Sequence, residues 1–171
     1  MEMDTTALFK LSYGMYIVSS KKENRFNGQV ANTVFQVTAK PIVVGVSINK
    51  ENLTHEFIES SGLLSISVLS EDTPMTFIGL FGFKSGRNVD KFDGTKYKMG
   101  VLGVPVVLEY SLAYLEARVI RKMDLGSHTL FIAEVVEAEN LADGNPMTYE
   151  YYHRVKRGKA PKTAPTYAPN R

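Results

Sequence analysis

Amide, hydroxyl and small side chains are concentrated between Asn27 and Gln36, in the run N-G-Q-V-A-N-T-V-F-Q. Asn and Gln carry both a donor and an acceptor, so they can read the alternating carbonyl and N–H edge of a planar ring such as a flavin. Gly28 and Ala31 would let the backbone approach that ring closely. The same residues also fit a hairpin and an edge strand whose polar side chains face water. This stretch alone does not separate the two interpretations.

A second polar group lies where a predicted strand gives way to a predicted helix, at Ser47, Asn49, Lys50 and Thr54. A phosphate site needs hydroxyls, an amide, a cation and free helical N–H groups, and a helix N-terminus adds a favourable dipole. Thr54 as a simple helix cap and Lys50 as a solvated charge would give the same pattern. The stretch is therefore a candidate phosphate site.

The third group is a glycine-bearing loop, Ser85-Gly86-Arg87, followed by Lys91 and Phe92. Two cations and an aromatic ring on such a loop could cover an anionic cofactor or the phosphates of a nicotinamide nucleotide. A solvated surface loop is the competing interpretation.

A single histidine, His128, lies in G-S-H-T at a turn that enters a predicted strand. Its imidazole could hydrogen-bond to a ring or a nicotinamide, or control proton delivery. A histidine at a strand end is also commonly satisfied by its local partners. Tyr149, Tyr151, Tyr152 and His153 form an aromatic cluster that favours packing or a subunit contact.

Composition excludes several other classes of site. The chain has 171 residues, no cysteine and three histidines without H-x-x-x-H spacing. Disulfides, iron–sulfur clusters, thiolate zinc sites and cysteine nucleophiles are therefore excluded, and we expect no metal site. Any redox chemistry must come from a bound organic cofactor.

Charge and hydropathy indicate an ordinary globular domain. Hydrophobic residues make up 44% and charged residues 22% of the chain, and the net charge is +2. That charge is too small to indicate a nucleic-acid partner. No apolar run approaches the length of a membrane span, and no basic segment followed by an apolar core opens the chain. We therefore expect a cytoplasmic protein without a membrane partner.

The elements that must position these residues are predicted to be short strands. Periodicity and turn residues predict strands at 15–20, 29–37, 42–48, 63–69, 111–120 and 128–138. Asn27-Gly28 is expected to be a tight turn. Short helices are predicted after Asp4 as far as Gly14, from an N-cap at Thr54 to Gly62 with a staple of Leu53 and Ile58, and from Thr73 to Gly82 with Pro74 at N1. The loop 83–94 is expected to lie outside the core. This pattern is typical of an antiparallel barrel.

Four motifs in this order carry a family resemblance: N-G-Q-V-A-N-T-V-F-Q-V-T-x-K-P, V-S-I-N-K-x-N-x-T-H, F-G-F-K-S-G-R-x-x-x-K-F and G-S-H-T-L-F-I-A-E-V. The chain resembles the flavin reductase-like FMN-binding split-barrel family. Within it, the motifs are most similar to those of archaeal ferric reductases and of the flavin modules of high-molecular-weight rubredoxins. The resemblance runs from the first predicted helix to Pro165.

The resemblance implies a fold and a cofactor. The fold would be a mainly β, homodimeric split β-barrel, antiparallel and of Greek-key type, with a few short helices. Residues 1–155 would be the FMN-binding domain and 156–171 an extended C-terminal tail. FMN would bind near the subunit interface and take reducing equivalents from NADH or NADPH through its N5 atom.

The resemblance also assigns residues to that site. Carried over by position, Asn32, Thr33 and Val34 would contact the isoalloxazine edge, with Gln29 and Ala31 on the same wall. The ribityl chain and phosphate would be held by Ser47, Asn49, Lys50 and Thr54. The loop over the cofactor would be formed by Phe83, Ser85, Arg87 and Lys91. His128 would lie near the nicotinamide and be the catalytic residue.

The function that follows is an FMN-binding, NAD(P)H-dependent oxidoreductase that passes electrons to ferric complexes, free flavin or a redox protein. The alternative is a flavoredoxin-like electron carrier that a partner protein reduces. Two departures from the family matter. Some relatives have a cysteine where this chain has Ser47, and the iron site of an appended rubredoxin would need cysteines that this chain lacks. Any electron acceptor is therefore expected to be a separate small molecule or redox protein.

Overall fold

A computed structural model describes residues 1–169 of the chain. A 3-10 helix at Thr5–Lys10 is followed by strands β1 (Tyr16–Lys22), β2 (Arg25–Ala31), β3 (Val34–Ala39), β4 (Ile42–Asn49), β5 (Leu63–Leu69), β6 (Tyr97–Met99), β7 (Pro105–Val107), β8 (Ser111–Asp124) and β9 (His128–Asn140). The α-helices are α1 (Leu53–Ser61), α2 (Met75–Gly82) and α3 (Tyr149–Arg154). The fold is mainly β with a few short helices, as predicted.

Seven of these strands form one antiparallel sheet in the order β2-β1-β5-β8-β9-β4-β3. Strands β6 and β7 pair separately. The long hairpin β8–β9 lies at the centre, where Ala117 is opposite Val135 and Lys122 is opposite Phe131. The two edge strands, β2 and β3, follow each other in the chain, so the chain crosses from one edge of the sheet to the other at Asn32-Thr33.

Two apolar clusters form the core. One joins β1, β5 and β7 to α2 and α3 through side chains such as Ile17, Phe81 and Tyr152. The other fills the space under α1 with residues such as Ile48 and Phe131. Strand β4 is buried over most of its length, which explains its continuous apolar run I-V-V-G-V. None of the helices formed by residues 1–169 is long and apolar enough to cross a membrane.

The first sequence error concerns strand β2. Asn27 and Gly28 are not a turn, because they lie inside β2 opposite Ser20 and Ser19. A Cβ at Gly28 would lie 2.7 Å from the Ser19 Oγ, so the glycine serves close packing within the sheet. The predicted strand 29–37 is also wrong as a single element, since it is broken between Ala31 and Val34.

The second set of errors concerns helix starts and one loop. The N-cap of α1 is Asn52 and not Thr54. Leu53 is already the first helical residue, so Leu53 and Ile58 do not occupy the positions of the predicted hydrophobic staple. Pro74 is the N-cap of α2 rather than its first residue. The 3-10 helix ends at Lys10, before Gly14. The loop 83–94 is not wholly outside the core, since Lys91 and Phe92 are buried. The end of α1 was predicted correctly, with Gly62 at a φ of 68°.

Candidate functional site

A cavity of about 350 Å³ lies between β2, the end of β4, the start of α1 and the C-terminal half of α2. The segment 83–86, helix α3 and residues 159–165 of the tail complete its wall. Small-molecule and cofactor sites fall within roughly 300–1,000 Å³. The cavity is therefore large enough for at least the ring system of a cofactor.

One wall of the cavity is formed by strand β2 and the residue that follows it. Gln29, Ala31 and Asn32 line this wall. The Gln29 Oε1 is buried and has no hydrogen-bond donor among residues 1–169, so it can accept a bond from a ligand. The Asn32 Nδ2 donates to the Thr166 Oγ1 at 2.7 Å, and its Oδ1 accepts from the Thr33 hydroxyl at 3.0 Å.

The opposite end of the cavity is formed by the first turn of α1. Asn52, Leu53 and Thr54 line it, and the N-cap side chain of Asn52 makes no capping hydrogen bond. Among the described contacts, neither the Leu53 N–H nor the Thr54 N–H has an acceptor. Free N–H groups at a helix N-terminus are well suited to an anion.

Asn27 and Gly86 fix the position of that helix start. The Asn27 Nδ2 donates to the buried Thr54 hydroxyl at 2.8 Å, which ties β2 to α1. A Cβ at Gly86 would lie 2.0 Å from the Asn27 Oδ1, so a larger residue would displace this pair. Glycine at position 86 therefore lets the segment 83–86 approach the helix start closely.

Lys91 brings a buried cation to the cavity. Its side chain is 4% exposed, and its Nζ donates to the Gly28 carbonyl at 2.9 Å and the Phe81 carbonyl at 3.1 Å. An ammonium group has three donors, so one remains after these two bonds. No carboxylate of residues 1–169 pairs with it. Burial lowers the pKa of Lys91 to about 8.

The structure brings nine of the predicted site residues together in the lining of this cavity: Gln29, Ala31, Asn32, Ser47, Asn49, Thr54, Phe83, Ser85 and Lys91. Five predicted residues lie outside the lining: Thr33, Val34, Lys50, Arg87 and His128. The Lys50 Nζ forms an ion pair with Asp124, and the Arg87 guanidinium lies 3.6 Å from the Glu56 carboxylate. These two cations are partly exposed surface charges.

His128 begins strand β9 and lies beside the tail. Its Nδ1 is 2.8 Å from the Ser127 Oγ. Its Nε2 is 3.1 Å from the Thr163 carbonyl oxygen, which can only accept, so Nε2 carries the proton. Both ring nitrogens are therefore held by neighbours, and Thr163 itself lines the cavity.

Several lining residues were missing from the sequence prediction. They include the helix start at Asn52 and Leu53, the α3 side chains Tyr149 and Tyr152, and residues 159–165. Asn52 was missed because Leu53 and Ile58 fitted a hydrophobic staple around Thr54, although asparagine is the stronger capping residue by type. The tyrosines were predicted to pack, and they also do that. A proline- and lysine-rich tail has no apolar periodicity that would predict its return to the domain.

The lining offers binding groups but no nucleophile with an activating base. Residues 1–169 contain no group of three His, Asp or Glu side chains that would hold a metal ion. The cavity has a polar wall, apolar side chains such as Ile78 and Phe81, and one end formed by the first turn of α1. This arrangement suits a planar ligand with an anionic tail.

Comparison with known proteins identifies a family for this chain. The model of the flavin reductase like domain matches residues 8–159. The chain is 55% identical over 169 residues to a high molecular weight rubredoxin of Moorella thermoacetica, covering 99% of this chain and 74% of that protein. It is 50% identical over 165 residues to a ferric-chelate reductase (NAD(P)H) of Archaeoglobus fulgidus, covering 96% and 98%.

A solved structure of an FMN-binding protein is also similar to this chain. The FMN-binding protein from Thermus thermophilus with bound 1-cyclohex-2-enone is similar with a TM-score of 0.71 at 27% identity, over 80% of this chain and 78% of that chain. The resemblance predicted from the four motifs is confirmed. The family match spans most of the chain, and both relatives are at least half identical to it. The chain therefore belongs to the flavin reductase like domain family.

Proposed function

We propose that the protein binds FMN in the cavity between β2 and α1 and uses it to oxidise NADH or NADPH. Electrons would pass to ferric complexes, free flavin or a redox protein. The observation that carries this proposal is the pairing of a polar wall at one end of the cavity with uncapped helical N–H groups and the buried Lys91 cation. The relative named as a ferric-chelate reductase supports ferric complexes as acceptors, and the relative named as a rubredoxin supports a redox protein.

The residues present fit FMN at both ends. The buried, partnerless Gln29 Oε1 and the amide of Asn32 suit a ring edge that carries N–H and carbonyl groups. The Leu53 and Thr54 N–H groups and the spare Lys91 donor suit a phosphate. Ser47, Asn49 and Ser85 lie along the lining and would hold the ribityl hydroxyls.

Bound FMN would supply hydride acceptance and the release of electrons singly or in pairs. The protein itself would bind and orient the cofactor and exclude water from the site. Ile78 and Phe81 supply apolar surface that excludes water, which strengthens every polar contact inside the cavity. The proton on the His128 Nε2 is held by the Thr163 carbonyl, at the rim of the cavity.

The five predicted residues outside the lining keep a place in the proposal. Thr33 positions Asn32 through its hydroxyl, and Val34 follows directly in β3. Lys50 and Arg87 would attract an anionic ligand at longer range only, because both are partly exposed and paired. We propose that His128 acts on the nicotinamide side.

We further propose a homodimeric, Greek-key split barrel that works in the cytoplasm, with residues 1–155 as the FMN-binding domain. Edge strands β2 and β3 are separated by two residues, which favours closure of the sheet. Exposed apolar side chains on β3 and β4, Phe35, Val37 and Ile42, are suited to a subunit contact. Sedimentation equilibrium tests the dimer, and a single-chain mass would count against it.

The function is tested by reconstitution followed by turnover. Flavin-free protein is titrated with FMN by flavin fluorescence, and NADH or NADPH oxidation is then measured with a ferric chelate as acceptor. We expect saturable binding and turnover that depends on added FMN. Absence of FMN binding by the folded protein would refute the proposal.

One observation favours a second function, a flavoredoxin-like electron carrier reduced by a partner protein. Neither ring nitrogen of His128 faces the cavity, and both have protein partners. Anaerobic mixing with each nicotinamide separates the two functions. Flavin that bleaches directly supports the enzyme. Flavin that is reduced only through a second protein supports the carrier.

A further inference from the structure

The segment Gly158–Thr166, here named the C-terminal strap, contains neither helix nor strand. It is nevertheless fixed to α3 by a set of hydrogen bonds. The Gly158 N–H donates to the Tyr152 carbonyl at 2.9 Å, and the Tyr152 hydroxyl donates to the Lys159 carbonyl at 2.7 Å. The His153 Nδ1 donates to the Gly158 carbonyl at 2.9 Å.

Packing at Gly158 shows that this attachment is specific. The residue is buried, and a Cβ there would lie 2.0 Å from the Tyr152 ring. Only a glycine allows the backbone to lie this close to the aromatic face. The first residue of the C-terminal strap is therefore built into the core rather than lying loosely on it.

Beyond Gly158 the C-terminal strap runs along the cavity. Its residues from Lys159 to Pro165 line the cavity opposite β2 and α1. Two of its residues engage side chains of the predicted site. The Thr166 hydroxyl accepts from the Asn32 Nδ2 at 2.7 Å and donates to the Tyr149 hydroxyl at 3.1 Å, while the Thr163 carbonyl accepts from His128.

Most of this segment lies outside the family domain. The family match ends at residue 159, whereas the lining continues to Pro165 and the bond to Asn32 is made at position 166. The wall that these residues supply therefore lies mostly beyond the residues that the family model matches. The identity to the Moorella thermoacetica protein extends over 169 residues.

We propose that the C-terminal strap is a wall of the flavin-binding site, so that FMN binding and docking of the strap stabilise each other. This inference rests on the proposed function. The strap contributes small apolar side chains to this wall, namely Ala160, Pro161, Ala164 and Pro165. The exposed Lys159 and Lys162 place positive charge at the rim, which suits an anionic ligand.

The first test compares FMN dissociation constants, measured by flavin fluorescence, for the full chain and for a chain that ends at Arg157. We expect the shortened chain to bind at least about tenfold more weakly, because a ligand loses one wall of its pocket. Equal affinity within about twofold would overturn the strap assignment while leaving FMN binding intact. Failure of the full chain to bind FMN would instead refute the proposed function.

A matched pair of point variants covers the case in which the shortened chain does not fold. Thr166→Val removes the hydroxyl that links Asn32 to Tyr149, and we expect about fivefold weaker FMN binding. Thr76→Val is the control, because Thr76 is exposed on α2 and lies outside the cavity lining, so the FMN affinity of this variant should stay within about twofold of the unaltered protein. Equal effects of the two substitutions would contradict the proposal.

Limited trypsin digestion measures docking of the C-terminal strap without an activity assay. Cleavage after Lys159 and Lys162 releases the C-terminal strap, and both lysines are exposed. We expect saturating FMN to slow both cleavages several-fold relative to cleavage after Lys10, which lies in the exposed 3-10 helix. Equal slowing at all three sites, or none at the strap, would show that the strap does not respond to the flavin.

Discussion

Lys91 links two elements of the fold, and we propose that it also contacts the phosphate of FMN. Its ammonium group is buried among carbonyl oxygens of β2 and α2, and it has no carboxylate partner among residues 1–169. A buried cation of this kind is costly unless a further anionic partner arrives. Its place in the cavity lining makes a phosphate the natural partner.

Comparison of two lysines tests this assignment. We expect Lys91→Met to weaken FMN binding by about tenfold or more, because a charge-assisted bond contributes about 1.5–3 kcal/mol. Lys50→Met is the control and should change the affinity by less than about threefold, since Lys50 pairs with Asp124 outside the cavity. Fluorescence titration measures both, and a larger loss in the Lys50 variant would restore Lys50 as the phosphate contact.

The pKa of Lys91 gives this binding a pH dependence. Burial lowers that pKa to about 8 in the flavin-free protein, and a bound phosphate would raise it. Binding must then take up a proton above pH 8, so affinity should fall as pH rises, by about tenfold between pH 7 and pH 9. The same titration on Lys91→Met should show no such fall. A wild-type affinity that is flat over this range would contradict the role of Lys91.

At the scale of elements, the start of α1 is positioned by β2 rather than by its own capping residue. The Asn52 side chain makes no capping bond, while Asn27 in β2 holds the Thr54 hydroxyl. Gly86 approaches this pair from the third side. The free N–H groups at the start of α1 are therefore held in position by β2 and by the segment 83–86.

Substitution at Thr54 tests this attachment through stability. Thr54→Val leaves the buried Asn27 amide without its acceptor, which should cost about 1–3 kcal/mol in the free energy of unfolding. Thr54→Ser keeps the hydroxyl and should cost less than about 1 kcal/mol through the lost methyl group. Urea unfolding of the flavin-free protein measures both. A valine variant as stable as the serine variant would show that the hydrogen bond contributes nothing.

The long strands inside the main sheet were predictable from sequence, whereas its edge strands β2 and β3 were not predicted as separate elements. The run I-V-V-G-V-S-I in β4 and the alternation in β5 and β8 identify strands because burial dictates their residue types. Asn27-Gly28 has the residue types of a turn, yet its glycine is required by packing against Ser19. The sequence predicted Lys91 on a surface loop because lysine is usually exposed. The bond to the Gly28 carbonyl that helps to bury it depends on tertiary structure.

The same contrast holds for the site. Polar residues at the ends of β2 and β4 were predicted because their types and spacing suit a ligand, and nine of the predicted residues share one cavity. The C-terminal strap was missed because its contacts join positions far apart in sequence, such as Asn32 with Thr166. Such pairs depend on tertiary structure, which residue types alone do not encode.

At the scale of the whole molecule, the exposed apolar side chains of β3 form the surface on which we propose that a second copy of the chain docks. Val37 is 46% exposed, and Phe35 on the same strand is exposed as well. Exposed apolar surfaces of this kind are sites of association. A second copy of the chain is the partner that the family resemblance implies.

A charge on this surface tests the proposed dimer. We expect Val37→Lys to shift the protein from dimer to monomer at micromolar concentration, because a buried, unpaired lysine is costly in an interface. Val101→Lys is the control, since Val101 is 71% exposed in the turn after β6. Sedimentation velocity gives the mass of each, and a Val37→Lys protein that remains dimeric would place the interface elsewhere.

The central claim is that this chain holds FMN where a nicotinamide can reduce it. The most direct measurement is an anaerobic titration of the FMN-loaded protein with NADH and with NADPH, followed by flavin absorbance. We predict that at least one of the two bleaches the flavin fully at one equivalent per bound FMN, since a hydride carries two electrons. Flavin that stays oxidised with an excess of both nucleotides would contradict the account.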